Sequence, residues 1–164
     1  MLTLGAIYSP GYKIALFFHI AAVVALGPTF AYGVLFSVLP KYPRSAPALI
    51  DGMRRIDRYL TNPAMVLLLI AGIVVVATSG SVWKGSQFFV VWGFIAIIAL
   101  FGVQHGFFGP QMTRLQEIAE KDLSTGDTLG AEFGATSQKI AQVGAAAGAL
   151  ILLTIFIMVY KPFM

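Results

Sequence analysis

Few side chains in this sequence can carry chemistry inside an apolar medium, and two histidines lead them. His19 and His105 are the only histidines, and the chain has no cysteine. An imidazole holds haem iron or copper, or relays a proton. The missing cysteines remove disulfides, thiolate nucleophiles and cysteine metal sites. No glycine-rich phosphate loop, zinc-protease pattern or nucleophile elbow is present. Met53, Met65, Met112, Met158 and Met164 are scattered, so a methionine copper site is not expected. No Asp, Glu, Lys or Arg is expected deep in an apolar run. That argues against a carboxylate-driven transporter, though not against a channel lined by backbone or hydroxyls.

The elements that must position these histidines follow from composition. Of 164 residues, 58% are hydrophobic and only 11% are charged. Mean hydropathy is +0.84. A soluble domain carries roughly 25% charged residues, so an ordinary soluble enzyme and a disordered chain are both excluded. The expected fold class is an all-α integral membrane protein. Four transmembrane helices form one up-and-down bundle, a single domain over residues 1–164. The helices are expected at about 12–39, 61–79, 86–109 and 138–160, with cytoplasmic loops at 40–60 and 110–137. The N-terminal run has no basic segment before it and is too long for a cleaved signal, so it is expected to stay as a helix.

Punctuation agrees with these bounds. Asn62-Pro63 reads as a cap followed by proline at the first helical position. Leu39-Pro40-Lys41-Tyr42-Pro43 stops the first helix, and Gly109-Pro110 weakens the third. Residues 48–60 read either as a short amphipathic helix on the membrane surface or as a solvated charged linker. A loose echo links His19…Gly27-Pro28 to His105…Gly109-Pro110.

The net charge of +4 is a topology signal here and not a nucleic-acid footprint. Lys41, Arg44, Arg54, Arg55 and Arg58 fall in one loop, and Arg114, Lys121 and Lys139 in the other. All seven acids lie in the same two loops. Both termini are therefore expected on the extracytoplasmic side. Tyr12, Trp83 and Tyr160 mark one interface, and Tyr42 and Tyr59 the other. Arg54, Arg55 and Arg58 are candidates for contact with anionic lipid headgroups.

On the first helix His19, Ala22, Leu26, Thr29, Gly33 and Ser37 share a face, whose small residues suit close helix approach. On the third, Phe94, Ile98, Phe101, His105 and Phe108 form a stripe for a neighbouring helix, lipid or a flat cofactor. On the fourth, Ala141, Gly144, Ala145 and Gly148 form a small-residue patch for packing within the bundle or in a homo-oligomer. His19 and His105 are expected about 15–20 Å apart along the membrane normal. One chain then cannot place both on one haem iron. A single-ligand haem, or a site shared with another subunit, stays open. So does the plainer reading of a histidine hydrogen-bonded inside the bundle.

The stretch Phe18-His19-Ile20-Ala21-Ala22-Val23-Val24-Ala25-Leu26-Gly27-Pro28-Thr29-Phe30 resembles the first helix of a bacterial family of integral membrane proteins of unknown function. That family comprises four-helix relatives of the copper-resistance protein D membrane domain. Asn62-Pro63, Ala71-Gly72-Ile73, Trp92, and Pro110 followed by Arg114 match later features. The resemblance implies a bacterial inner-membrane protein without an assigned reaction, with His19 at the first-helix histidine. Wider relatives include copper-transfer proteins and a haem-binding oxidase of porphyrin synthesis. This chain lacks the further intramembrane histidines and acids such chemistry would use.

Three functions follow as expectations. The first is a non-enzymatic accessory or structural subunit, partnered by lipid and by itself or a larger membrane complex. The second is a haem- or metal-binding redox protein using His19. The third is a small transporter with a polar cavity near Thr29, Tyr32 and Ser37.

Overall fold

The protein is described by a computed structural model, which covers residue 7 and residues 9–163. Four helices run its length: α1 (Pro10–Lys41), α2 (Pro43–Thr78), α3 (Phe88–Thr125) and α4 (Ala131–Tyr160). Each is long and apolar enough to cross a membrane. No strand occurs among the described residues. Short connections reverse the chain each time, giving an all-α up-and-down bundle. Its outer surface exposes Ile14, Phe17, Val24, Ile70, Ile95, Ile98, Phe156 and Val159. An apolar surface of that extent needs lipid and not water around it.

The first helix, expected unbroken over 12–39, is broken at Gly27-Pro28. Pro28 has no N–H to give, and the chain tightens, with Gly27 N–H donating to the Val24 carbonyl at 2.9 Å. A Cβ on Gly27 would lie 2.9 Å from that same oxygen, so the turn requires glycine. The break also changes which face is buried. Before it Tyr12, Ala15, Ala22 and Leu26 face inward; after it Phe36 and Leu39 do. The inward row slips by one position, which turns Ser37 outward and leaves Gly33 on the wall of a cavity. The first half of α1 lies along α2, and the second half lies along α4.

Helices α2 and α3 are longer than a bilayer requires. Their 36 and 38 residues extend about 54–57 Å at about 1.5 Å per residue, against about 30 Å of hydrocarbon. The excess of both lies at the charged end, where residues 40–60 and 110–137 were expected to be loops. These stretches are largely helical. The segment Ala46–Ile56 turns Ala46, Ile50 and Met53 inward against Met112, Leu115, Ala119 and Phe133. Its apolar face is therefore covered by protein. The short amphipathic helix expected at 48–60 is present, but its apolar face is turned onto α3 and α4 and not onto a membrane surface.

Asn62-Pro63 is not a helix start either. Thr61 and Asn62 are helical, and the helix runs on through a widened π turn at Asp57–Thr61. A second π turn, Gln104–Phe108, precedes Gly109-Pro110 in the same way. Each proline follows two residues behind the wide turn. The extra residue makes room for the ring and the unpaired carbonyl that would otherwise kink the helix. The echo within the chain is thus between α2 and α3.

Candidate functional site

Two partly open cavities lie between the helices. The first, about 470 Å³, lies toward the chain termini between all four helices. Its walls are apolar except for Tyr12, His19, Thr154, Trp83 and Lys161. The Trp83 indole N–H donates to the Tyr12 hydroxyl at 3.0 Å and ties the α2–α3 loop to the start of α1. Ser79, fully buried, accepts from the Trp83 backbone N–H at 3.1 Å and so fixes that loop. Lys161 follows α4 in a left-handed conformation, φ 49°. Its Nζ lies 3.8 Å from the Trp83 ring centroid, a cation–π contact at the cavity rim. Burial there lowers the pKa of its ammonium below the ordinary lysine value.

His19 lines this cavity from α1. Its ring rests on Gly72 of α2, where an added Cβ would meet Cε1 at 3.3 Å and Nδ1 at 3.4 Å. The missing side chain lets the imidazole reach the α2 backbone, and the ring interacts with Leu68, one turn earlier. Nδ1 is buried there and makes no full hydrogen bond. One ring edge is thus held against α2. The ring belongs to the bundle interior, as its place on the small-residue face of α1 predicts.

The chain matches no family model, no curated protein and no solved structure. Its chemistry has to be read from its own cavities.

The second cavity, about 430 Å³, lies toward the charged end. Here the two π turns and the second half of α1 meet. The Tyr32 hydroxyl lies 3.0 Å from Asp57 Oδ1 and 3.0 Å from the Met53 carbonyl oxygen. Gln104 of α3 lies near the same carboxylate, short of a hydrogen bond. The Thr61 hydroxyl is buried close by, short of a hydrogen bond to either. Thr29 and Tyr32 line this space, whereas Ser37 faces outward and donates to the Val34 carbonyl at 2.7 Å.

The remaining singled-out residues separate. His105 is exposed and stacks on Phe101, ring centroids 6.0 Å apart. It lines neither cavity, so the structure does not bring the two histidines together. Gly144 and Gly148 receive aromatic rings: an added Cβ would sit 3.9 Å from Phe108 and 3.3 Å from Phe30. Ala141 lines the second cavity beside them. At Gly33 an added Cβ would meet nothing within 4 Å. Arg54 donates to Gln116 Oε1 at 2.6 Å, Arg55 pairs with Asp51 at 2.7 Å, and Arg58 lies over the Tyr59 ring. All three are exposed at the charged end.

Asp57, Thr61 and Gln104 are the interior polar residues that sequence reasoning missed. The basic neighbours Arg54, Arg55 and Arg58 made this stretch look like a loop. Helical spacing carried the opposite signal: Ile50, Met53, Asp57, Thr61 and Ala64 follow steps of three and four along one face. Among the described residues no three His, Asp or Glu side chains converge as a metal site.

Proposed function

We propose that this chain is a small, non-enzymatic, multi-pass subunit of a bacterial inner membrane that binds a flat apolar prosthetic group of the haem class on His19. The observation that carries the reading is the imidazole itself, held edge-on against Gly72 at the wall of a largely apolar cavity of about 470 Å³. Ligand pockets run from about 300 to 1,000 Å³ and combine apolar walls with a few placed polar groups. The donor set fits the group. Buried Nδ1 lies against the α2 backbone without a hydrogen bond of its own, so packing on Gly72 is what orients the ring. His19 would hold the group, and Lys161 at the rim suits an acidic substituent. Such a group supplies one-electron chemistry when bound. The protein's part is to orient the imidazole and to keep water from the apolar walls.

The accessory reading is favoured by the charged end, whose helices extend beyond the bilayer and offer a surface to a larger complex or a second copy. The Lys/Arg bias supports an orientation with both termini extracytoplasmic. Arg54, Arg55 and Arg58 then stand at the cytoplasmic headgroups, facing anionic lipid.

The test is spectroscopic. Protein purified from a haem-replete membrane is expected to show a Soret band that His19→Ala abolishes and His105→Ala keeps. Colourless protein that also fails to take up added haemin would overturn the haem reading.

A further inference from the structure

We propose that the second cavity is a binding site for a lipophilic organic cation, with Asp57 as its counter-charge. This goes beyond the haem reading, since it rests on the other cavity and on different residues. Phe30, Phe36, Met65, Phe108 and Met112 give the space an apolar and aromatic lining. Asp57 brings a carboxylate to its wall.

No cation among the described residues pairs with that carboxylate. Among the described residues Arg54 reaches Gln116, Arg55 pairs with Asp51, and Arg58 lies over Tyr59. The neighbours of Asp57 are neutral: Tyr32 at 3.0 Å, then Gln104 and Thr61. A half-buried carboxylate without a cationic partner is costly, and a bound cation removes that cost.

A second observation points to a ligand. Thr61 is 3% exposed, lines the cavity, and leaves its hydroxyl oxygen without a hydrogen-bond partner. Glycine and alanine on α4 keep the opposite wall low, which is what opens the space. A bare metal ion needs a small cage of oxygens at about 2.0–2.6 Å, and this cavity is far larger. Its chemistry fits a body of apolar rings carrying one positive charge, with Phe30 and Phe108 as aromatic walls.

Tetraphenylphosphonium and tetraphenylborate share a shape and differ in sign. Purified full-length chain in zwitterionic nanodiscs is to be titrated with each, with empty nanodiscs subtracted. Saturable binding of the cation, none of the anion, and at least a tenfold loss in Asp57→Asn are expected. Equal binding of the two ions, or unchanged cation affinity in Asp57→Asn, would overturn the proposal. Should Asp57→Asn fail to fold, Gly144→Leu serves instead. Its Cβ makes an ordinary contact with Phe108, and the leucine fills the space. Undiminished cation binding by that variant also overturns the site.

Discussion

Trp83 donates its indole N–H to the Tyr12 hydroxyl at 3.0 Å, across 71 positions of chain. The contact closes the end of the bundle where the chain starts and finishes. Tyr12 is 9% exposed, so its hydroxyl spends its bond on the indole and not on water. Tyr12→Phe removes the acceptor and leaves a part-buried donor unpaired. A loss of about 1–3 kcal/mol is expected, read as a lower midpoint of thermal unfolding in detergent. Trp83→Phe removes the donor as well, so the double variant should cost little more than Trp83→Phe alone. Full additivity of the two would refute the pairing.

Gly72→Ala tests the seat of His19. The new Cβ would lie 3.3–3.4 Å from the ring, closer than side chains ordinarily approach, so the imidazole must shift. Haem affinity is expected to fall about tenfold, equivalent to about 1.4 kcal/mol of binding. In a His19→Ala background the same substitution should change nothing further. Titration of the purified variants with haemin measures both, and an unaltered Gly72→Ala isotherm would contradict the proposed geometry.

The four spans were legible because hydropathy alone decides them; the break at Gly27-Pro28 was not, because a proline inside a long apolar run leaves the hydropathy unchanged. The pairing of Tyr12 with Trp83 was half legible: both read as interfacial aromatics, but no local pattern reveals a contact 71 residues apart. The charged end misled. Arg54, Arg55 and Arg58 describe the outer face of a helix whose inner face is Ile50, Met53, Asp57 and Thr61, and a linear count of charges cannot separate the two. The prolines misled in a related way. Pro63 reads as a helix start because it usually is one, and only the π turn before it lets the helix continue. Gly144 and Gly148 read as a helix-to-helix contact, whereas their neighbours include the rings of Phe108 and Phe30. A small-residue stripe says that something approaches closely, not what it is.

Orientation is open to a direct test. Eight of the eleven Lys and Arg residues sit at the charged end, and the positive-inside bias assigns that end to the cytoplasm. Alkaline phosphatase fused after Met164 is expected to be active, and a cytoplasm-dependent fluorescent reporter at the same point dark. The reverse pattern would invert the topology and move Arg54, Arg55 and Arg58 to the outer face.

The charged end should also hold the most sensitive core of the molecule. Ile50 and Leu115 are fully buried there, with Met53 and Phe133 at 1%. This cluster lies at the charged end, and where water rather than lipid surrounds it burial gains the full hydrophobic effect, about 25 cal/mol for each Å². Between apolar helices in lipid the same burial gains little, because the tails are as apolar as leucine. Ile50→Ala is therefore expected to cost about 2–5 kcal/mol. Ile98→Ala, at an outward position 65% exposed on α3, is expected to cost under about 0.5 kcal/mol. Both remove the same atoms from the same kind of element, and they differ only in surroundings. Thermal unfolding of the two variants in one detergent isolates that difference. Equal midpoints would mean that the helices at the charged end do not form a packed core.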